Sequence, residues 1–391
     1  FTISELEEIY PTASRKSKED PAYKEKAMEA TFKLQSGVRG YRALWDQIIK
    51  VSVADLKRNY ENLNVEFDLW KGESDVHDVI PGMVQQLKDQ GYAYYSDGAL
   101  VVDVKEETDT KEIPPCMILK SDGASLYNTT DLATIMERVR EYHPDRMIYL
   151  TDKRQDLYFE QVFRCARKTG LVPRETELLH IGFGTMNGKD GKPFKTREGG
   201  VMRLELLIKE INEEMYRKIT DNRQVDEREA RKTAQVVALS AIKYGDLSNQ
   251  ASKDYIFDMD KFTSFEGDTG PYILYTIVRI KSILSKIREQ DVELKEGTIR
   301  EAASEAEKAL MMSLAGFPAM MAGAYEETAP HKVCAYIYDL ANAFNRFYHE
   351  TRIVAEQDQE KKAGWVALLI LTRDILEACI DVLGFSAPER M

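Results

Sequence analysis

Glu177-Leu178-Leu179-His180-Ile181-Gly182-Phe183-Gly184 opens the stretch that decides the fold, residues 177–200. Its first five residues are a short apolar run that reads as a buried strand. A polar loop follows: Asn187-Gly188-Lys189-Asp190-Gly191-Lys192-Pro193-Phe194-Lys195-Thr196-Arg197-Glu198-Gly199-Gly200. Six glycines, four basic residues and one proline come after the run's last apolar residue. Glycines let backbone approach a ligand closely, and lysines supply mobile positive charge. A strand opening into such a loop suits a polyphosphate. It equally suits a solvated hairpin, and this stretch alone does not separate the two.

Working upstream, Ser125-Leu126-Tyr127 reads as a short strand, with Thr129 and Thr130 as caps for a helix over 131–142. Residues 146–150 read as a buried strand, 154–169 as a helix closed by Gly170, and 177–181 as a third strand. Strand, helix, strand, helix, strand at this spacing is half of a doubly wound, Rossmann-type parallel sheet. Such sheets bind ligands beyond the carboxyl ends of their strands. Three places converge there: Tyr127 with Asp131, Asp152 with Gln155, and Gly182 onward. The half carrying the first phosphate-binding turn is expected before Phe1, or absent. Residues 1–65 read as helical, with Ser4 as an N-cap and amphipathic segments over 22–34 and 41–60. Residues 65–70 alternate like a strand and run into Lys71-Gly72-Glu73-Ser74. A helix over 79–90 then leads to a small, antiparallel-looking strand insert at 93–95, 99–103 and 115–119.

Downstream, helices are expected over 201–216 and 226–244, the second with Ala234, Val237, Ala238 and Ala241 on one face. The pattern breaks at 245–250, and 255–257 is extended. Helices over 271–290, 297–312, 315–325, 330–350 and 361–383 make an all-α bundle of about 130 residues, an ordinary domain size. The fold class is therefore α/β plus all-α. Its divisions are 1–120, the insert; 121–217, the sheet half; 218–262, a stem; and 263–391, the bundle.

With 391 residues the chain is long enough for two or three cores. Its 54 basic and 66 acidic residues give a net charge of -12, which argues against a generic nucleic-acid coat or an anionic-membrane binder. A local basic groove stays open. Cys116, Cys165, Cys334 and Cys379 form no Cys-x-x-Cys pair, which fits a reducing cytosol. The five histidines show no metal-ligand spacing, so no metal site is expected. No apolar run is long enough to cross a bilayer and no signal peptide is visible, so no membrane partner is expected. The chain begins Phe1-Thr2-Ile3 without an initiator methionine, and a fragment of something longer is expected.

Locally, Asp131 in a first helical turn serves the helix dipole, and Glu73 reads as an exposed turn carboxylate. Assembly changes this. Glu73, Tyr127, Asp131 and Gln155 each fall at a strand end or first helical turn. Two carboxylates, a phenol and an amide suit a planar cation: a guanidinium offers five donors in a fork that carboxylates match. Such a pocket rejects lysine or citrulline by leaving buried groups unpaired. Lys192 and Lys195, three apart, suit the charge of a leaving pyrophosphate rather than covalent catalysis. In the bundle, Tyr272, Tyr275 and Arg279 share one helix, and Phe344, Arg346 and Tyr348 another. Aromatics with arginine can stack single-stranded RNA bases, but at helical spacing they more often pack inward.

The motifs together resemble the arginyl-tRNA synthetases, a class I family, over essentially the whole chain. They are Ser121-Asp122-Gly123 through Leu126-Tyr127 to Thr130-Asp131-Leu132, Asp152-Lys153-Arg154-Gln155, His180-Ile181-Gly182-Phe183-Gly184 and Phe194-Lys195-Thr196-Arg197. Ser264-Phe265-Glu266-Gly267 with Pro271-Tyr272, and the terminal Ala387-Pro388-Glu389-Arg390-Met391, complete the set. The resemblance implies an arginine–tRNA ligase of the cytoplasm. Its partners would be L-arginine, tRNA(Arg) and ATP as a substrate with Mg2+, and it would be a monomer that needs tRNA for its first step. It implies arginine recognition by Glu73, Tyr127, Asp131 and Gln155, and ATP over His180, Gly182 and Phe183. Residues 191–197 become the equivalent of the Lys-Met-Ser-Lys-Ser loop, matched only loosely by Lys192-Pro193-Phe194-Lys195-Thr196. The bundle becomes the anticodon-binding domain, with Tyr272, Tyr275, Arg279, Phe344, Tyr348 and Met391 at positions that meet anticodon bases. The His-Ile-Gly-His signature is missing, which implies a portion unable to form arginyl-adenylate by itself. The alternative is a non-catalytic RNA-binding protein derived from a synthetase.

Overall fold

A computed structural model describes residues 1–192, 202–221, 226–290 and 297–391. The chain starts with three helices, α1 (Ile3–Glu19), α2 (Pro21–Gln35) and α3 (Arg39–Asn62). The cap of α1 is Thr2 rather than Ser4. The Thr2 hydroxyl accepts from the Glu5 amide at 3.3 Å, and the Glu5 carboxylate accepts from the Thr2 amide at 2.7 Å. This reciprocal pair satisfies two otherwise orphaned donors. Asp20 caps α2, whose first residue is Pro21.

The strand expected over 65–70 does not form. Asn64 turns the chain through a positive φ of 51°, and Val65 N–H donates back to Tyr60. Phe67 and Trp70 then fold onto Tyr60 as an edge-to-face trio, with centroids 4.8 to 5.8 Å apart. The alternating side chains found an aromatic partner before any strand partner, and ring packing outweighs strand propensity here. Glu73 accordingly lies in a short 3-10 turn, Glu73–Val76, instead of at a strand end.

After α4 (Ile80–Asp89), strands β1 (Ala93–Ser96), β2 (Ala99–Val102) and β3 (Cys116–Leu119) form the expected antiparallel sheet. Its first turn is Asp97-Gly98, both at positive φ, the geometry that matches strand twist in a two-residue hairpin. The strand expected at 125–127 is also absent. Gly123 turns the chain at φ 81°, and Tyr127 is already the first residue of α5 (Tyr127–Tyr142). Thr129 decides this early start. Its hydroxyl accepts from Leu126 N–H at 3.0 Å and donates to the Ile118 carbonyl at 2.6 Å, binding the helix start to β3.

The parallel sheet therefore contains two strands among the described residues, β4 (Arg146–Asp152) and β5 (Glu177–Phe183), crossed over by α6 (Asp156–Lys168). Asp152 lies opposite Phe183, so the carboxyl ends of both strands are level. Beyond β5 the chain makes β6 (Met186–Asn187), paired parallel with β7 (Tyr255–Ile256). One core lies under β1–β5 and α4–α6, built on Met83, Leu87, Leu100, Ile118, Leu132 and Val162.

The stem helices α7 (Leu204–Thr220) and α8 (Glu227–Leu247) lead into α9 (Met259–Phe262) and the bundle. The bundle helices are α10 (Gly270–Gln290), α11 (Glu305–Ala315), α12 (Phe317–Glu326), α13 (Pro330–Glu350) and α14 (Gln359–Val382). Helix α8 ends at Leu247, inside the break expected at 245–250. Helix α11 begins eight residues later than the expected 297, where the Ser304 hydroxyl caps Glu307 N–H. Ala234, Val237, Ala238 and Ala241 are all buried, as their spacing required. One continuous core joins stem and bundle. Among the described residues, no helix is long and apolar enough to cross a membrane.

Candidate functional site

Helix α5 starts beside the 3-10 turn at 73–76, and this brings two distant acids close. The Thr130 hydroxyl lies 2.9 Å from Glu73 Oε1 and 3.0 Å from the Tyr127 carbonyl. The next residue, Asp131, is half-buried and accepts a hydrogen bond from the Tyr158 hydroxyl on α6. Burial raises the Asp131 pKa above the ordinary carboxylate range; the Tyr158 hydrogen bond opposes this and the nearby Glu73 charge adds to it. The Arg138 charge opposes the shift least. A half-buried acid next to another acid, with no ion-pair partner among the described residues, is a site that a further cation would relieve.

Tyr127 and Glu73 line a cleft of about 1380 Å³ together with Thr130, Lys120, Arg42 and Trp45. Tyr127 is 71% exposed and free to cover a ligand. Gln155 ends the 3-10 turn Lys153–Gln155 and occupies the N-cap position of α6; its side chain is exposed and makes no capping hydrogen bond. It stands three residues before Tyr158 in sequence, and no hydrogen bond joins its side chain to Glu73, Tyr127 or Asp131 among the described residues. Sequence reasoning missed Tyr158; its spacing of three from Gln155 was the available signal.

His180 and Gly182 have strong internal roles. The His180 ring stacks on Phe159 at 4.6 Å, its Nδ1 is 3.0 Å from Asp156 Oδ1, and its Nε2 is 2.7 Å from Thr151 Oγ1. Both ring nitrogens thus have partners within the fold. A Cβ at Gly182 would lie 2.7 Å from Lys153 Cα, so glycine permits β5 to meet the turn at 153–155. Phe183 is 46% exposed at the sheet's carboxyl end. What this end offers a ligand is therefore backbone and the Phe183 ring, not the imidazole.

The loop after β5 is anchored. Lys153 pairs with Asp254 at 2.8 Å, Thr185 N–H donates to the same carboxylate at 2.9 Å, and Lys189 pairs with Asp258 at 3.0 Å. Residues 188–192 close a tight turn, with Gly188 N–H donating to the Lys192 carbonyl at 2.8 Å. Lys192 is exposed and makes no ion pair among the described residues. Lys195 lies outside the described residues.

On the bundle, Tyr272 and Arg279 of α10 face Asn342 and Asn345 of α13 through hydrogen bonds of 2.6 to 2.9 Å. The Arg279 guanidinium lies over Tyr275 at 4.7 Å and Tyr348 at 5.8 Å. Tyr275 is exposed, while Tyr272, Tyr348 and Met391 are half-buried. Phe344 departs from its expected role at a base: it is 0% exposed and belongs to the core, stacked behind Tyr348 at 6.0 Å. Residue 344 falls on the inward stripe of α13 with Leu340, Ala341 and Phe347, and inward packing wins there.

Residues 1–259 match the family model for the catalytic domain of class I tRNA synthetases (R), and residues 273–391 match the DALR anticodon-binding domain. The chain belongs to the arginyl-tRNA synthetase family. An arginine–tRNA ligase of Agathobacter rectalis is 66% identical over the whole chain, which covers 67% of that protein. One from Alkaliphilus oremlandii is 55% identical, again over the whole chain and 66% of the relative. The chain thus spans about two thirds of the length of the synthetases it matches. The crystal structure of the Plasmodium falciparum arginyl-tRNA synthetase superposes with a TM-score of 0.78 at 25% identity, over 95% of this chain and 62% of that one. The Thermus thermophilus enzyme shares the fold with a TM-score of 0.78 at 22% identity, over 96% and 68%. A synthetase-type catalytic domain followed by a helical anticodon-binding domain is therefore the architecture of this chain.

Proposed function

We propose that this chain supplies the arginine-selecting and anticodon-binding parts of an arginine–tRNA ligase acting in the cytoplasm. The observation that carries the reading is the meeting of Glu73 and Asp131 through Thr130 and Tyr158. Two acids 58 positions apart in sequence share one small region, the Arg138 charge only weakly offsets them, and neither has an ion-pair partner among the described residues. A guanidinium would supply both the charge and the forked donors that the pair lacks. Tyr127 would cover it, and Gln155 would hold the amino-acid end of the substrate. ATP, carrying its Mg2+, would lie along the backbone at Gly182 and Phe183, with His180 fixing the strand beneath. The arginine carboxylate then attacks the α-phosphate and pyrophosphate leaves. Lys192 and Lys195 would neutralise the leaving charge. A 3′-terminal ribose hydroxyl of tRNA(Arg), bound by its anticodon on the bundle, then takes the acyl group and AMP leaves. The divisions at 1–120, 121–217, 218–262 and 263–391 follow as insert, sheet half, stem and anticodon-binding domain.

Calorimetry with L-arginine and citrulline tests the pocket. Arginine is expected to bind and citrulline to lose at least tenfold, since it carries an uncharged urea where the acids need a cation (about 1.4 kcal/mol or more). Equal binding of the two would refute charge-based selection and leave an RNA-binding derivative as the better reading. The sequence contains His180-Ile181-Gly182-Phe183 but no His-Ile-Gly-His. With arginine, ATP and tRNA all present, this chain alone is accordingly expected to show no ATP–pyrophosphate exchange. Arginine-dependent exchange from the purified chain would overturn that expectation.

A further inference from the structure

The two acids of the pocket are carried differently. Asp131 belongs to α5 itself. Glu73 opens the 3-10 turn Glu73–Val76, on a separate segment packed against α5. The separation of the acids is therefore decided by where that turn lies on the helix. The turn is a closed unit: Gly72 N–H donates to Asp75 Oδ2 at 2.8 Å, and Asp75 N–H donates to the Gly72 carbonyl at 3.1 Å. Val76 is buried in the core and pins its far end. Upstream, Trp70 belongs to the aromatic trio on Tyr60 of α3, and Lys57 of α3 lies over its ring at 5.0 Å.

Lys71 is where the chain passes from α3 to α5. From an exposed position its Nζ reaches Glu137 Oε2 at 2.6 Å, with Glu141 Oε2 at 3.9 Å. Thr130, Thr134, Glu137 and Glu141 follow one another at steps of four, three and four, which puts them on one face of α5. Thr130 takes Glu73 at one end of that face, and Glu137 takes Lys71 further along it. Glu137 is only 7% exposed, and a carboxylate that deep is costly unless it is paired. Neither Lys71 nor Glu137 lines the cleft of Glu73 and Tyr127. Thr130 holds one oxygen of the Glu73 side chain, whereas the ion pair holds the chain two residues upstream. Together they leave the turn one placement on α5. That placement matters for a guanidinium, whose rigid fork is matched only by carboxylates at the right spacing. A lysine ammonium, a compact point charge, makes no such demand.

We propose that Lys71 and Glu137 are positioning residues for arginine selection, their ion pair setting the distance of Glu73 from Asp131. The proposal rests on the reading of those two acids as the arginine pocket. The test is calorimetry of the full chain with L-arginine, beside thermal unfolding. Lys71→Met should weaken arginine binding at least about tenfold, a decade short of what a misplacement of about 1 Å can cost. Lys71→Arg keeps a cation within reach of Glu137 and should hold the wild-type affinity within about twofold. Lys71→Met also leaves Glu137 buried and unpaired, so it lowers stability. Lys71→Met combined with Glu137→Gln removes that orphaned charge. The unfolding temperature should then return toward the wild-type value while arginine stays at least about tenfold weaker, which separates placement from loss of fold. A wild type that binds L-arginine no better than citrulline would sink the pocket reading and this proposal with it. A selective wild type whose arginine affinity is unchanged in the double variant would sink this proposal alone. So would an equal loss in Lys71→Arg and Lys71→Met, because the restored ion pair would then have restored nothing.

Discussion

Asp131→Asn is expected to remove arginine binding and, at the same time, to make the protein more stable at neutral pH. Losing one partner of a desolvated charge pair costs about 2–5 kcal/mol, or at least about thirtyfold in affinity. The stability gain follows from the direction of the Asp131 shift. Burial raises its pKa in the folded state, so folding favours the protonated form and the cost of keeping the anion appears as pH rises through that raised value. Asparagine never takes on that charge, yet it can still accept the Tyr158 hydrogen bond. The variant should therefore unfold at a higher temperature than the wild type at pH 7. The difference should vanish as pH falls below about 4, where the unfolded aspartate is protonated too. For the wild type, arginine affinity should weaken as pH drops from 7 toward the raised Asp131 pKa, because the proton competes with the guanidinium. Calorimetry and thermal unfolding across pH read both effects. An asparagine variant that binds arginine as the wild type does would remove Asp131 from the pocket, and one that is less stable at pH 7 would contradict the burial argument.

Gly270→Ala is expected to be among the most damaging single-methyl additions in the chain. Gly270 opens α10 where it crosses α8, and a Cβ there would lie 2.2 Å from the Ser240 carbonyl oxygen and 2.5 Å from its carbon. Both obstructing atoms are backbone, on a helix whose buried face includes Ser240. Neither can turn away as a side chain would, so the helices must part. Overpacking of this kind costs about 1–3 kcal/mol. Gly323→Ala in α12 is the matched comparison. Its Cβ would meet only the tip of Lys332 at 3.9 Å, and alanine there should stabilise by about 0.5–1 kcal/mol through helix propensity. Urea midpoints of the two variants should move in opposite directions. A Gly270→Ala midpoint equal to the wild type would show that α8 and α10 are not held at this distance.

Much of the architecture was legible because periodicity is a local consequence of burial. The stripe of Ala234, Val237, Ala238 and Ala241 needs no tertiary knowledge to be read as a buried helix face. Asp97-Gly98 fixes its hairpin through backbone preference alone. The two missing strands have one origin. Residues 65–70 and 125–127 both carry strand-like side chains, but a strand exists only if a neighbour supplies its hydrogen bonds. In the first case Tyr60 collected the rings, and in the second Thr129 bound the backbone to β3 and started the helix early.

For the site, residue types alone pointed to two acids, a phenol and an amide around a flat cation. They could not show that Tyr158 holds Asp131, since that hydrogen bond joins two helices. Phe344 and Tyr348 look equivalent on one helix, four residues apart. Only the packing of α13 against its neighbours turns the first fully inward and leaves the second beside Arg279. The chain's own chemistry thus determined where helices, turns and the charged groups would fall, because those depend on neighbours within a few residues. Which acids meet and which aromatic ring faces out were decided by contacts between segments far apart in sequence. Such contacts exist only after the chain has packed.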